Sequence, residues 1–368
     1  MVRSITEQKE SMALANTQCA TAEVELEKER LLPKSNRRTD LPVLLVHNLD
    51  ETWDPADLEK AIDGVDELEK ALRSQGHPVI NIPVYDSDLA GRLKRFDPDE
   101  HIVFNGCESL PGIPFSEARV AQILESLEFT YTGSTPEVLT TGWDKAKVKK
   151  RLGSSRVPIP AWKIFTSPDQ DGWRKFPAIV KPAQEHSSCG VSREAVVLSH
   201  EKMLSRIAYV EHEFQQPAIV EDFIDGREFH VSLWGNRTVE MLPPAEMDFS
   251  AFNDVQDRLC TFDAKYRPDS QAYEKICVRV PAFLTEAEYK ELERVARRAY
   301  RVIGCRDYAR LDIRLREGVF YILDVNPNPD ISSDTSMAFA AQSAGYSYGA
   351  MLSQIVNLTA RRHHVLRH

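Results

Sequence analysis

The chain has 368 residues, 42% hydrophobic and 28% charged, a composition that excludes wholesale disorder and a length that implies more than one domain. Its net charge is −10, which argues against a general nucleic-acid or anionic-membrane binder while leaving room for a local basic pocket. No run approaches the roughly 18–20 apolar residues a membrane span needs, and the first 40 lack an apolar signal core. Six cysteines (19, 107, 189, 260, 277 and 305) lie scattered without Cys-x-x-Cys spacing, so a reduced, cytoplasmic protein is expected.

Residues 1–40 are polar and read as a flexible extension. The first folded unit, 41–130, opens with an apolar strand over Pro42 to Val46. Asp54-Pro55 then starts a helix carrying Leu58, Ile62, Val65, Leu68 and Leu72 at helical spacing, up to a stop at Gly76. Val79 to Val84 and Ile102 to Phe104 read as further strands, and Val120 to Leu127 as another helix. This alternation predicts a parallel α/β sheet. From 131 to 228 a smaller α+β unit is expected, with a helix over Lys145 to Leu152, strands at Phe176 to Lys181 and Ala218 to Glu221, and a Ser187 to Gly190 loop between them. A third unit, 229–360, holds a helix at Glu286 to Ile303, two close strands and a final helix at Tyr348 to Leu358. The basic tail, 361–368, includes His363-His364, which read as solvated.

The segment from Tyr308 to Pro329 carries the most chemistry. Leu311, Ile313 and Leu315 alternate with arginines and Asp312, and after Glu317-Gly318 a second alternating run contains Asp324 and Asn326. A three-residue loop over Arg316, Glu317 and Gly318 pairs apolar residues throughout, Leu315 with Val319 and Leu311 with Leu323. That register sets Arg310 opposite Asp324 with Asp312 on the diagonal. A two-residue turn is expected to be excluded, because it would bury the arginines. Asp312, Asp324 and Asn326 then form an oxygen-only set suited to Mg²⁺. A solvated, salt-bridged hairpin explains the same pattern.

In order along the chain stand Asp144-Lys145, Ile179-Val180-Lys181-Pro182, Ser187-Ser188-Cys189-Gly190 and Val220-Glu221-Asp222-Phe223-Ile224-Asp225-Gly226-Arg227-Glu228. They are followed by Asp263-Ala264-Lys265-Tyr266, Arg310-Leu311-Asp312 and Asp324-Val325-Asn326. This ordered set resembles the D-alanine–D-alanine ligases of the ATP-grasp superfamily. The resemblance implies a three-domain ATP-grasp architecture, α/β and α+β, with the nucleotide held between the central and C-terminal α+β domains. It implies ATP and Mg²⁺ as cofactors, with Mn²⁺ as a substitute, and a small carboxylic acid and an amine, such as an amino acid, as substrates. A homodimer is implied as well.

Carried over by resemblance, Lys145, Lys181 and Lys265 lie over the phosphates. Ser187 and Ser188 close on them, although His186 stands where the family commonly has glycine. Glu221, Asp222, Phe223 and Ile224 follow the adenine edge, Leu323 packs on its face and Glu228 accepts from the ribose. Asp312, Asp324 and Asn326 match the magnesium ligands, with Asp324 replacing the usual glutamate. Arg310, Lys265 and Ser188 are the implied catalytic residues; Arg310 alternatively only pairs with Asp324.

Amino-acid recognition departs from the family. The first two strand ends carry His47-Asn48-Leu49-Asp50-Glu51 and Phe104-Asn105-Gly106-Cys107-Glu108, neither matching the glycine-rich family segments. Glu51, Asn105 and Glu108 are substrate candidates by their place at strand ends, and Asp330, Thr335 and Ser336 by their place after the metal strand. The expected activity is acyl-phosphate-mediated amide or peptide bond formation with a substrate pair other than two D-alanines. D-alanine–D-alanine ligation itself and a silent ATP-binding protein are the alternatives.

Overall fold

The structure is a computed structural model that describes residues 38–170, 172–185, 189–261 and 275–367. Of the extension expected over 1–40, residues 1–37 lie outside the described residues, as do Ser187, Ser188 and Lys265, whereas Arg38 is described and its N–H donates to Asn357 Oδ1.

A parallel sheet comes first, in the order β2-β1-β3-β4, from β1 (Val43–Asn48), β2 (Val79–Val84), β3 (Ile102–Gly106) and β4 (Thr130–Tyr131). All six β1 residues are buried, as a strand covered on both faces requires. Helix α1 (Pro55–Ser74) begins where the sequence places it, with Asp54 accepting from Ala56 N and proline in its first turn. Leu72 of α1 packs with Val43, Leu45 and Phe104 on one face. The other face buries Leu44, Val46 and Val84 under α2 (Leu89–Leu93) and α3 (Glu117–Ser126).

The chain continues through α4 (Pro136–Gly142) and α5 (Lys145–Ser154) into a four-stranded antiparallel sheet, β5-β8-β6-β7. Its strands are β5 (Trp162–Phe165), β6 (Ala178–Pro182), β7 (Val196–Val197) and β8 (Ala218–Asp222), and α6 (His200–Phe214) covers one face. The largest sheet, also antiparallel, holds β9 (Arg227–Gly235), β10 (Val239–Met241), β11 (Ala245–Asp248), β12 (Cys277–Arg279), β13 (Tyr308–Arg316) and β14 (Val319–Asn326). Val231, Leu233, Leu311, Ile313 and Val325 on its inner face pack under α5 and α7 (Glu286–Ile303). Gly226 is required just before β9, where a Cβ would stand 2.0 Å from the Leu315 carbonyl oxygen.

After β14 the chain returns to the first sheet. Helices α8 (Ser336–Ser343) and α9 (Tyr348–Ala360) bring Met337, Leu352, Ile355 and Val356 against Leu41, Val43 and Phe104. One buried carboxylate secures this return. Asp307 accepts from Gly133 N at 3.0 Å, Asn236 Nδ2 at 2.9 Å, Thr359 Oγ1 at 3.1 Å and Arg362 Nη2 at 2.6 Å.

The adjacent histidines are not a solvated pair. His363 is fully buried, its Nε2 meeting the Pro98 carbonyl and its Nδ1 accepting from the Val365 and Leu366 amides, so its polar atoms are satisfied internally. His364 is exposed beside Asp99. Among the described residues, no helix is long and apolar enough to cross a membrane.

Asp307→Asn should lower stability by about 2–4 kcal/mol, because the amide turns a donor toward a ring of donors and leaves Arg362 without its carboxylate. Urea denaturation at pH 7 checks this; a loss under about 0.5 kcal/mol would show that the network does not fasten α9.

Candidate active site between two sheets

The two antiparallel sheets each bury one face under helices and turn the other toward a common cleft. On β6 and β8 that face carries Lys181 and Glu221, while Val180 and Val220 point into the helix-covered core. On β9 and β13 it carries Glu228, His230, Arg310, Asp312 and Arg314, with the partners of the core strand residues facing the other way.

The β13–β14 hairpin differs from the three-residue loop expected from sequence. Arg316 pairs with Val319, so the turn is the two-residue Glu317-Gly318, with φ of 52° and 76°. Two left-handed residues define the turn type whose twist matches a hairpin. Phe320 and Ile322 face the core, not Val319 and Tyr321. Beyond them Leu323 is skipped: Ile313 pairs with Ile322 but Asp312 with Asp324. This bulge reverses the facing of β14, returning Val325 to the core beside Leu311. Asp324 therefore lies directly opposite Asp312, and Arg310 opposite Asn326 rather than Asp324.

The objection to a two-residue turn, that it buries arginine, fails because the buried arginine has partners. Arg314 is 1% exposed; its Nε donates to Glu228 Oε2 at 2.6 Å, and its two terminal nitrogens donate to the Ile224 and Arg258 carbonyls. Burial pushes the Glu228 carboxyl up, but Arg314 and then His230 outweigh it and hold it well below the usual carboxylate range.

Around the opposed aspartates the charges alternate. Arg310 Nε donates to Asp312 Oδ1 at 2.8 Å, and Asn326 Nδ2 lies 3.4 Å from Asp312 Oδ2. Lys145 Nζ lies 3.3 Å from Asp324 Oδ2 and donates to the Glu185 carbonyl at 2.6 Å. Deeper in the cleft, the Glu221 carboxylate sits between Lys149 Nζ at 3.1 Å and Lys181 Nζ at 3.0 Å. Burial raises Glu221, and the two ammonium groups more than reverse it, so the carboxyl lies below its ordinary value. Burial likewise depresses Lys181, but Glu221 and Asp324 bring it above the ordinary lysine value. Lys149 was missed from sequence. It stands four residues after Lys145 on one face of α5, and that spacing was the available signal.

The remaining candidates are dispersed. Asp222 is held at the end of β8 by Lys175 and Arg316, each at 2.6 Å. Phe223 and Ile224 are buried, and Leu323 is half-buried at the bulge, its carbonyl accepting from Lys149 at 2.9 Å. In the first sheet Asn105 is buried and its Oδ1 accepts from Cys107 N, so it shapes its own turn. Glu51 is exposed. Glu108 reaches solvent in a crowded cleft, where desolvation, then Asp330 and Glu117, raise its carboxyl. Glu117, also not anticipated, accepts from Asn328 Nδ2 at 2.7 Å and Trp143 Nε1 at 3.1 Å. Asp330 Oδ1 accepts from the Ser332 amide and hydroxyl, and Thr335 donates to the Ser332 carbonyl. The Ser336 hydroxyl oxygen is shielded from solvent and has no protein partner.

Residues 160–357 match the family model described as D-ala D-ala ligase C-terminus. An uncharacterized protein of Sinorhizobium fredii, y4sG, is 32% identical over 310 residues, 81% of this chain and 88% of that one. The D-alanine–D-alanine ligase of a Marinomonas species is 28% identical over 295 residues, covering 78% and 86%. The solved structure of the D-alanine–D-alanine ligase of Bacillus anthracis complexed with ATP superposes with a TM-score of 0.68 at 19% identity, over 87% of this chain and 98% of that one. That likeness establishes the ATP-grasp fold.

Glu228→Gln should cost about 3–5 kcal/mol at pH 7, because Arg314 is left buried without its counter-charge. A carboxyl depressed in the folded state contributes stability above its unfolded pKa of about 4.3, and the contribution disappears as pH falls. Denaturant titrations between pH 7 and 3 should therefore show a shallower acid loss in the variant; equal slopes would remove Glu228 from the acid response.

Proposed function

Because the chain belongs to the D-ala D-ala ligase family, we propose that it is an ATP-dependent carboxylate–amine ligase. The observation that carries this reading is the direct opposition of Asp312 and Asp324 on β13 and β14, ringed by Arg310, Asn326 and Lys145. Two carboxylates and a carboxamide supply hard oxygen donors at one point, and partly exposed side chains, 17% for Asp312 and 24% for Asp324, leave room for an ion. These residues fit Mg²⁺, which when bound draws in and neutralises phosphate oxygens.

In the proposed reaction a substrate carboxylate oxygen attacks the γ-phosphorus of ATP, the bond to the β-phosphate oxygen breaks, and ADP leaves. The amine nitrogen attacks the acyl carbon of the resulting acyl phosphate, inorganic phosphate leaves, and the nitrogen gives up a proton. Lys145 and Lys181 hold phosphate charge as compact cations. Arg310, fixed by Asp312, offers its guanidinium to the oxyanion of the tetrahedral intermediate. Ser187, Ser188 and Lys265 are proposed to join from the residues that the structure leaves undescribed. Glu221 through Ile224 follow the nucleotide base and Glu228 its ribose, with Leu323 against the base. Their burial beside Arg314 gives that path a fixed wall.

We assign a product other than D-alanyl-D-alanine, although relatives carry that name. Asp330 stands after the metal strand; burial first, and then the charges of Asp330 and Glu117, raise the Glu108 carboxyl, so three carboxylates share the neighbourhood proposed for the acceptor. Such a pocket favours a cationic amine and disfavours a second carboxylate nearby. Ser336, with its unpartnered hydroxyl oxygen, is the group to receive a carboxylate at the pocket's far side.

Asp324→Asn should lose at least a hundredfold in acid- and amine-dependent ADP release while its melting temperature stays within about 2 °C. Wild-type turnover at limiting Mg²⁺ would refute the metal assignment. Mass spectrometry of products from an acid–amine panel should show diamines or basic amino acids outrunning D-alanine as acceptor, with the preference reduced in Asp330→Gly; D-alanyl-D-alanine as the fastest product would overturn it.

A further inference from the structure

One group of side chains in the cleft is foreign to hard-oxygen chemistry. β9 presents Glu228 and His230 two residues apart on the cleft face, and the chain returns to them at Cys260. One carboxylate oxygen, one ring nitrogen and the sulfur of these residues all lie within 4.8 Å of one another. Glu228 and His230 are buried, at 4% and 7% exposure, and Cys260 is half-buried. Glu228 gives Oε2 to Arg314 and turns Oε1 toward His230 Nε2 at 3.8 Å. The hydrophobic cluster under β11 and β12 includes Cys260, which fixes where the sulfur stands.

We propose that Glu228, His230 and Cys260 form a site for a thiophilic divalent cation of the zinc class, and that its occupation excludes nucleotide. Thiolate and imidazole select zinc-like ions, whereas the neighbouring carboxylates select magnesium-like ones. His230 pairs directly with Asp312 across β9 and β13, and its Nε2 lies 4.0 Å from Asp312 Oδ1, so the soft and hard sets adjoin. Three protein ligands leave a fourth position for water. Zinc bonds of about 2.0–2.3 Å place ligand atoms roughly 3.3–3.8 Å apart, so the cage tightens by up to about 1.5 Å on binding. The exclusion follows because the ion takes the Glu228 oxygen that the ribose would use, and this half rests on the ligase reading.

Cobalt(II) tests the site without catalysis. Titrating the metal-free full chain with Co²⁺ should produce a thiolate-to-cobalt charge-transfer band that saturates at one ion per chain and is bleached by Zn²⁺. Cys260→Ser should abolish the band and His230→Gln should weaken Co²⁺ affinity at least tenfold, while Cys189→Ser and His364→Gln keep it. No band, or a band unchanged in Cys260→Ser, overturns the site. Equilibrium dialysis of radiolabelled ATP with Mg²⁺, at free Zn²⁺ held by a metal buffer, tests exclusion. Zinc should lower ATP affinity at least tenfold in the wild type and under threefold in Cys260→Ser. Equal affinity with and without zinc overturns exclusion. A chain that binds no ATP even without zinc overturns both exclusion and the ligase reading, and the cobalt band decides the site independently.

Discussion

The cleft depends on one extra residue. Without the bulge at Leu323, the two-residue turn at Glu317-Gly318 would leave Asp324 on the face opposite Asp312, under α7 and among aliphatic side chains. With it, the outer part of β14 keeps Phe320 and Ile322 in the core while the inner part delivers Asp324 and Asn326 to the cleft. The bulge also turns the Leu323 carbonyl to Lys149, so the irregular backbone is satisfied by the lysine that braces Glu221. Hairpin geometry and cleft electrostatics are thereby one constraint.

The charges buried around that hairpin specify position more than they add stability. Lys149, Glu221 and Lys181 tie α5 to β8 and β6, while Arg314 ties β13 to Glu228 and to the Ile224 and Arg258 carbonyls. Taking such ions out of water costs nearly as much as their pairing returns. What they provide is a fixed separation between two sheets whose helix-covered cores are otherwise independent. Hydrophobic packing alone would allow those sheets to slide, and a site assembled from both could not tolerate that.

The sequence was legible where local pattern and burial agree. The Asp54-Pro55 start of α1, the apolar strands of the first sheet and the capped helix from Glu286 all follow from periodicity and capping. The hairpin register was not, because apolar residues stand at both parities of β14: Val319, Tyr321 and Leu323 satisfy one alignment, Phe320 and Ile322 the other. Only the twist preference of the turn and the unseen partner of Arg314 decide between them. Glu117 and Lys149 escaped notice, and His363 read as solvated, for a related reason. Each is a polar residue whose role is fixed by a partner distant in sequence, Asn328, Glu221 and Pro98 respectively.

The return of α9 to the first sheet bears on how the chain is made. β1 and β3 leave the ribosome well before the residues that cover one of their faces, Leu352, Ile355 and Val356. Until then Val43, Leu45 and Phe104 have only α1 over them. A nascent chain thus carries an open apolar sheet face while both antiparallel sheets are synthesised, an exposure of the kind that chaperones bind. The large antiparallel sheet, by contrast, receives its covering helices α5 and α7 before its hairpin emerges. The order of translation therefore favours completing the β13–β14 hairpin against a prepared core before the first sheet is closed by α9.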